Sequence, residues 1–388
     1  MSTLQDKSGI TIVEGRAKLQ LPPEPRKVFY NPRMSLNRDF AMLFAGSYFS
    51  SLRQLRLCDP MAGSGVRAAR YLLEVPNVAH VVAADRDEVS AMLTQETLLL
   101  NSMRERFSVF QSDAHRLLAD HTTDRFDIID LDPFGSPTAF FEPALRATTD
   151  GGVLAATATD MGPLSGARPT ACMRKYGVSP VRAEFEKELA IRTLGSSLVT
   201  TATKLELGIN LAFSHATDHY ARLYAVVSKG RKEANQSIQK LGYVAYCKKC
   251  LFRSETQPLS SIQNTCPNCG SSTSTGGPYW LGSLWDRGTV ESMVKRASGL
   301  ASSRLSDVQK ILGLIEGELG SPMLYYTTDT LASVYKTKPP SLAALLPSLA
   351  REGYQVSRTH FNPTGFRTNA PVPRIAASFR NIAKETQP

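Results

Sequence analysis

A glycine-rich turn between a short apolar strand and a helix constrains the fold of this chain more than any other feature. Residues 55–59 read as a strand, residues 60–65 form the turn, and a helix is predicted from about Val66 to Glu74. The next apolar run, 78–85, is typical of a parallel strand buried on both faces. Helices then alternate with further predicted strands at 107–113, 126–132 and 152–159. This alternation predicts a Rossmann-like, mostly parallel α/β sheet that binds ligands at the carboxyl ends of its strands.

The sheet is expected to end in an antiparallel last strand. Residues 208–213 and 220–227 read as two strands, with Ser214 to His219 as the loop between them. The polar stretch that follows, 229–237, contains few apolar residues and is typical of a domain boundary. We therefore predict a catalytic domain at residues 1–232 and a C-terminal α+β domain at residues 233–388.

The second predicted domain carries less regular patterns. Helices are expected near 289–319 and 341–352, and the residues after them read as a polar tail. The formal charge of the 388-residue chain is +10, which favours a polyanionic partner, although solubility alone is an equally good explanation. We find no run of 18 apolar residues and no signal-peptide pattern, so we expect a cytoplasmic protein with no membrane contact. We also expect a monomer.

Four of the six cysteines occur in two C-x-x-C pairs, Cys247 with Cys250 and Cys266 with Cys269. This spacing, within about 245–272, is typical of a zinc ribbon, in which four thiolates hold one structural ion. Two redox dithiols are the alternative, but neither pair opens a helix after a strand. Cys58 and Cys172 lie in apolar or small-residue surroundings and are expected to be inert core residues.

The turn at 60–65 has two interpretations. Gly63 and Gly65 fit G-x-G-x-x-A, and Asp85 ends the next strand, which together resemble a dinucleotide fingerprint and leave a nicotinamide dehydrogenase open. Asp59, four residues before Gly63, instead favours S-adenosylmethionine, because a carboxylate there can hold the amino group of a methionine moiety. The sequence beyond the strand at 126–132 supplies no plausible hydride-transfer partner, so we favour S-adenosylmethionine.

The strand at 126–132 ends in Asp132-Pro133-Phe134-Gly135. A capping turn would explain these residues without any function. However, an exocyclic amine on a nucleobase is a poor nucleophile, and a carboxylate with a backbone carbonyl can accept its two N–H groups and take up the developing charge. Asp132 and the carbonyl of Pro133 suit this role, and Phe134 could stack on the base.

Five blocks extend this interpretation to almost the whole chain. They read V-F-Y-N-P-R-M-S-L-N-R-D at 28–39, D-P-F-G-S-P at 132–137, T-A-T-D at 157–160, D-H-Y at 218–220 and R-T-H-F-N-P-T-G at 358–365. In these blocks the chain resembles the tRNA (guanine-26-N2)-dimethyltransferase family. The resemblance implies S-adenosylmethionine as cofactor, tRNA as partner, and transfer of two methyl groups to N2 of a guanine, with the C-terminal domain binding the tRNA.

The resemblance also implies roles for particular residues. Asp132 would be the catalytic carboxylate, and Phe29 and Phe134 would sandwich the flipped base. The cofactor pocket would be lined by Arg38, Arg67, Asp85, Asp113 and Ala114. Asp113 could instead be only a helix cap. The alternatives that stay open are a methyltransferase for another tRNA guanine or RNA amino group, and a non-catalytic zinc-containing RNA-binding protein.

Overall fold

The N-terminal part of the chain is a hairpin followed by a helix. A computed structural model describes residues 10–21, 30–49, 53–257 and 264–385. The hairpin strands are β1 (Ile10–Glu14) and β2 (Ala17–Leu21), and the helix is α1 (Ser35–Tyr48), preceded by a 3-10 turn at Pro32–Met34. Gly15 in the hairpin turn has φ +58°, and a Cβ there would overlap the side chains of Glu74 and Arg70. Glycine is therefore required both for the backbone conformation and for the close approach.

The central region alternates strands and helices as the sequence predicts. Its elements are β3 (Leu55–Asp59), α2 (Val66–Glu74), β4 (Val78–Asp85), α3 (Glu88–Leu100), β5 (Phe107–Gln111), α4 (Ala114–Asp120), β6 (Phe126–Leu131), α5 (Phe141–Ala147), β7 (Thr148–Ala158), α6 (Met161–Leu164), α7 (Pro169–Tyr176), α8 (Glu186–Thr203), β8 (Leu207–Thr217) and β9 (Tyr220–Lys229), with a 3-10 turn at Thr138–Phe140.

These strands form one seven-stranded sheet in the order β5-β4-β3-β6-β7-β9-β8. The first five in this order run parallel, and β9 is antiparallel to both of its neighbours. The apolar strands are buried because helices cover both faces. The predicted mostly parallel α/β sheet with a late antiparallel strand is confirmed, and its carboxyl edge carries the residues of interest.

The expected loop at 214–219 is wrong in extent. The strand β8 continues to Thr217, and the turn consists of Asp218 and His219, with Asp218 at φ +50°. Ser214 and His215 read as loop residues because they are polar, yet both are buried. Tertiary contacts bury them: the Ser214 hydroxyl donates to the carbonyl of Leu284 at 3.2 Å, and the His215 ring lies 4.4 Å from the Phe40 ring.

The C-terminal region combines helices with two small sheets. Its elements are α9 (Arg231–Ile238), β10 (Leu241–Tyr246), β11 (Arg253–Thr256), β12 (Ser274–Trp280), α10 (Arg287–Ala297), α11 (Leu305–Glu318), β13 (Tyr326–Thr327), α12 (Thr328–Tyr335), α13 (Leu342–Arg351), β14 (Val356–Arg358), β15 (Gly365–Thr368) and α14 (Val372–Glu385). The sheets have the orders β11-β10-β12 and β13-β15-β14, and all pairings in them are antiparallel.

One expectation for this region needs correction. The helical stretch predicted near 289–319 consists of α10 and α11, separated by residues 298–304. The expected polar tail ends in the helix α14, whose Ile375, Phe379 and Ile382 are buried. These apolar residues recur every three to four positions among polar ones. The average composition of the segment is therefore polar, although the segment forms an amphipathic helix.

The predicted domain boundary at residues 232 and 233 falls inside α9. This helix packs on β8, where the Ser237 hydroxyl accepts from the Ile209 N–H at 2.8 Å. One apolar core includes Leu194 and Leu211 together with Trp280 and Tyr325, so buried residues on both sides of the boundary belong to the same cluster. The division into two domains stays a prediction. Among the described residues, no helix combines the length and apolar character needed to cross a membrane.

Candidate active site and candidate metal centre

The glycine turn after β3 lies against the end of β4. Gly63 and Gly65 have φ values of +56° and +74°, and a Cβ at Gly65 would approach Thr94 Cα to 2.8 Å. The Asp85 carboxylate accepts from the Gly63 N–H at 2.9 Å. Four residues predicted from the spacing, Asp59, Gly63, Gly65 and Asp85, are therefore brought together at the carboxyl ends of β3 and β4.

Asp59 is a buried carboxyl group at this edge. Its side chain is 2% exposed, and its Oδ2 has no hydrogen-bond partner among the described residues. Burial raises the pKa of Asp59 to about 7, although the charge of Arg67 opposes this shift. Buried carboxyl oxygens are normally paired, so this one has the capacity to accept a hydrogen bond from a bound cation.

Asp113 and Ala114 lie one strand further along the same edge. Asp113 caps α4, accepting from the His115 N–H at 2.8 Å, and this bond lowers the pKa of its carboxyl group. Ala114 is buried at the first position of the helix. The capping role that the sequence suggested for Asp113 is thus observed, and more than half of its side chain stays exposed.

Asp132 follows β6 and binds Arg67. The Arg67 guanidinium also lies 3.1 Å from Asp130 Oδ2 and donates to Asn37 Oδ1 at 3.0 Å. Arg222 reaches the same Asp130 from β9, with both of its contacts at 2.8 Å. Burial disfavours the charge of Asp130, but the two guanidinium groups outweigh it and lower its pKa to about 2.

These contacts place Asp132 at the solvent end of a buried charge network. Asp130, Arg67 and Arg222 are almost fully buried, whereas the Asp132 side chain is 19% exposed. Two carboxylates face two guanidinium groups, so the network balances its charges internally. The family resemblance implied Arg67 as a cofactor ligand, and sequence reasoning did not identify Asp130 or Arg222. A charged residue within the apolar strand 126–131 was the one available signal for Asp130.

The turn that holds Phe134 is clamped by Thr159. The Gly135 N–H donates to the Thr159 hydroxyl at 2.8 Å, and the Thr159 N–H donates to the Gly135 carbonyl at 2.9 Å. Gly135 has φ +81°, and Phe134 is 78% exposed. The T-A-T-D block at 157–160 therefore has a local purpose, because it fixes the backbone on which the Pro133 carbonyl and Phe134 lie.

Arg38 lies beside the N-terminal hairpin. Its Nε donates to Glu14 Oε1 at 2.6 Å, and its Nη2 donates to the carbonyl of Asn31 at 3.0 Å. Tyr30 donates to the same Glu14 carboxylate at 3.0 Å. Sequence reasoning did not identify Glu14. Phe29, predicted to stack on the base, lies outside the described residues.

The four paired cysteines converge in the C-terminal region. Their Sγ atoms all lie within 4.8 Å of one another, with 3.6 Å between Cys247 and Cys269 and 3.4 Å between Cys250 and Cys266. Four thiolates bound tetrahedrally at ~2.3 Å from zinc would be ~3.7 Å apart, so the arrangement fits one ion. The other two cysteines, Cys58 and Cys172, are buried as predicted.

Both C-x-x-C pairs lie on matching turns. The Leu251 N–H donates to the Cys247 carbonyl and the Gly270 N–H to the Cys266 carbonyl, at 2.8 Å and 2.9 Å. Leu251 and Gly270 both have left-handed backbones, with φ of +66° and +68°. Neither pair opens a helix. The turns therefore match metal knuckles better than a redox dithiol.

One family model and several named relatives match this chain over nearly its whole length. The model of the family described as N2,N2-dimethylguanosine tRNA methyltransferase matches residues 9–380. The chain is 34% identical to a tRNA (guanine(26)-N(2))-dimethyltransferase of Methanobrevibacter smithii, across 96% of this chain and 97% of the relative. It is 33% identical to a tRNA (guanine(26)-N(2)/guanine(27)-N(2))-dimethyltransferase of Aquifex aeolicus, across 97% and 95%.

A solved structure agrees with these sequence matches. The complex of Trm1 from Pyrococcus horikoshii with S-adenosyl-L-methionine superposes with a TM-score of 0.86 at 33% identity, and covers 95% of this chain and 99% of that chain.

Proposed function

The chain belongs to the N2,N2-dimethylguanosine tRNA methyltransferase family, and from this premise we propose how its residues carry out the family's reaction. It is an S-adenosylmethionine-dependent tRNA methyltransferase that modifies N2 of guanine 26. The match over residues 9–380 is the observation that carries this conclusion. The assignments of individual residues below are our own.

The cofactor is assigned to the carboxyl edge of β3, β4 and β5. Asp59 would accept a hydrogen bond from the amino group of S-adenosylmethionine, since Asp59 is buried and its Oδ2 has no hydrogen-bond partner among the described residues. Asp85 closes the glycine turn by accepting from the Gly63 N–H, at the end of the second strand, where a ribose is normally held. Asp113 and Ala114 would border the adenine, and Arg38 and Arg67 would lie beside the methionine end.

Asp132 is assigned to the target amine. When bound, S-adenosylmethionine supplies an electrophilic methyl group on a sulfonium. Asp132 and the Pro133 carbonyl would accept the two N–H hydrogens of the guanine N2, which favours a localised lone pair aimed at that methyl group. Asp132 then takes the proton that the methylated nitrogen loses and passes it to water. Arg67 binds one side of the Asp132 carboxylate and holds its orientation.

The base is assigned to two aromatic side chains. Phe134 is exposed on a turn that Thr159 fixes, so it can stack on a flipped guanine without rearrangement of the backbone. Phe29 is proposed as the second stacking residue on the strength of the family resemblance. After one transfer the nitrogen keeps one N–H, so the second transfer needs only one of the two acceptors.

The activity is tested on a tRNA transcript with labelled S-adenosylmethionine. Mass spectrometry of its nucleosides should show N2-methylguanosine followed by N2,N2-dimethylguanosine, and a transcript with guanine 26 replaced by adenine should show neither. Label that persists in the substituted transcript would point to another guanine. Absence of S-adenosylmethionine binding by calorimetry would favour a non-catalytic RNA-binding protein instead.

The four cysteines are assigned to one structural zinc ion. The convergence of four Sγ atoms on matching turns supports this proposal. A four-thiolate site leaves no open position for a substrate, so the ion would stabilise the fold rather than take part in the reaction. One zinc per chain is expected by metal analysis, and four readily titrated thiols without zinc would contradict it. We also propose that the enzyme acts in the cytoplasm as a monomer. Light scattering can test the oligomeric state by measuring the molecular mass.

A further inference from the structure

A cleft of about 370 Å³ lies between the N-terminal hairpin, α1 and the end of α10. Three cations line it: Arg16 in the hairpin turn, and Lys295 and Arg296 in the last turn of α10. All three side chains are exposed. We call this feature the basic cleft. Arg16 is far from Lys295 and Arg296 in the chain, so only the tertiary structure brings the three cations together.

The backbone of the basic cleft is firmly held. The Arg16 N–H donates to Glu74 Oε1 at 3.0 Å, which fixes the hairpin turn on the end of α2. The Arg296 guanidinium lies 3.8 Å from where a Cβ on Gly46 would be, so it extends over α1 at a position without a side chain. The cations therefore project from ordered elements rather than from a loose surface.

The described residues do not pair the charges of the basic cleft with carboxylates. Glu74 is the one acidic residue among the described residues that line the cleft, and its two oxygens already bind Arg70 at 2.8 Å and 3.0 Å. In the part of the chain that the structure describes, no carboxylate forms an ion pair with Arg16, Lys295 or Arg296. Three converging cations repel one another, and solubility does not require that they share one cleft.

We propose that the basic cleft binds phosphodiester groups of the tRNA at a distance from the target guanine, an inference that rests on the proposed function. Glu74 ends α2, a nine-residue helix that begins directly after Gly65, so the cleft lies ~13 Å from the glycine turn. Of the described residues that line it, none is aromatic. The cleft is therefore suited to phosphates, which set the position of the tRNA, and not to reading bases.

The test removes the three cations together, as Arg16→Ala, Lys295→Ala and Arg296→Ala. The control is Lys232→Ala, which removes one exposed cation from α9, outside the cleft. Binding of an unmodified tRNA transcript is measured over a series of KCl concentrations. Each lost phosphate contact should reduce the slope of log K against log salt by about 0.7 to 0.9, so the triple variant should lose roughly 2 to 3 units of slope. The control should match wild type.

Two further measurements distinguish a role in tRNA binding from a role in cofactor binding or in methyl transfer. Affinity for S-adenosylmethionine should be unchanged, and methyl transfer at saturating tRNA should be retained while KM for tRNA rises. If the triple variant misfolds, the three single variants are used, each with a slope loss of about 0.7 to 0.9.

A triple variant with wild-type affinity and wild-type salt slope would overturn the proposal, even in an enzyme that methylates guanine 26. That result would leave an acidic protein segment as the occupant to consider. If wild type instead transfers no methyl group to tRNA, the proposed function fails. The two failures are thus distinguishable.

Discussion

Two buried carboxyl groups, Asp59 at the glycine turn and Glu318 at the end of α11, have opposite environments. Glu318 accepts from the N–H and the ring of His360, from the Thr359 hydroxyl and from Arg367, at 2.6 to 2.8 Å. Asp59 has one oxygen without any such partner among the described residues. The pKa of Asp59 is raised to about 7 by burial, whereas His360 and Arg367 outweigh the burial of Glu318 and lower its pKa to about 2.

The difference distinguishes the carboxyl edge of the sheet, where a ligand can bind, from the surroundings of Glu318, where charged groups hold parts of the fold together. Arg367 continues from Glu318 to Glu188 on α8 at 3.0 Å, and Glu188 binds Arg192 at 2.7 Å. This second network joins the central sheet region to the C-terminal helices and has no exposed end. The network of Asp130, Arg67 and Arg222 ends instead in Asp132, which is partly exposed at the carboxyl edge of the sheet.

The largest effect is expected for Asp132→Asn. The amide keeps the size of the side chain but cannot take a proton, so single-turnover methyl transfer should fall by about 10²- to 10⁴-fold. Affinity for S-adenosylmethionine should change little, whereas the free energy of unfolding should fall, because the buried Arg67 loses one of its two carboxylate partners. Glu96→Gln, an exposed acid on α3, is the matched control. Near-normal turnover in Asp132→Asn would remove the catalytic role from this edge.

Glu318→Gln should act on stability and not on chemistry. Removing this charge leaves the buried Arg367 partly uncompensated, so the free energy of unfolding should fall by about 3 kcal/mol in urea titrations. Methyl transfer per folded molecule should be unchanged. Glu142→Gln, at an exposed ion pair with Arg146, should cost less than about 0.5 kcal/mol. A loss of methyl transfer in folded Glu318→Gln would break the proposed separation of the two regions.

The same carboxyl group predicts a pH dependence. The pKa of Glu318 falls from an ordinary 4.5 to about 2 on folding, so the unfolded chain binds more protons between these values. Its contribution, on the order of 3 kcal/mol, is therefore present above pH 4.5 and is lost as pH falls toward 2. Unfolding measured across this window should be less pH-dependent in Glu318→Gln than in wild type. If both proteins lose the same free energy of unfolding as pH falls from 4.5 toward 2, Glu318 is not the source of this pH dependence.

A smaller effect is expected for Asp59→Asn on cofactor affinity. A charged hydrogen bond is worth about 1.5 to 3 kcal/mol, so S-adenosylmethionine should bind ~10- to 100-fold more weakly. Since the pKa of Asp59 is about 7 and only its ionised form attracts a cation, wild-type affinity should rise as pH rises through 7. Calorimetry at several pH values should show this rise in wild type and not in the variant. If wild type and Asp59→Asn bind S-adenosylmethionine equally well, a residue other than Asp59 binds its amino group.

The smallest effect is expected for Thr159→Val, which removes the acceptor of the Gly135 N–H. The loss of one hydrogen bond should cost ~1 kcal/mol and loosen the turn that carries Phe134, lowering kcat ~5-fold. Thr159→Ser keeps the hydroxyl and should restore kcat. If serine and valine behave alike, the clamp does not position the turn.

Local patterns predicted much of the central region. The strands β3, β4 and β6 and the helix α2 match their predicted positions within one residue, because apolar runs and glycine turns specify them locally. Errors occurred where burial depends on distant partners. Ser214 and His215 look polar in sequence, but Leu284 and Phe40 bury them within a strand. The polar composition near the C-terminus likewise concealed α14, whose apolar face is visible only once its register is considered.

By itself, the sequence determined the alternation of strands and helices, the glycine turn, the acids at strand ends and the two cysteine pairs, because each depends on neighbouring residues. Tertiary structure alone decided that Arg67 binds Asp132, that Glu188 meets Arg367, and that Arg16 shares a cleft with Lys295 and Arg296. Those partners are far apart in the chain, and any charge there has many possible partners of suitable sign. Only the packing of helices on the sheet selects one.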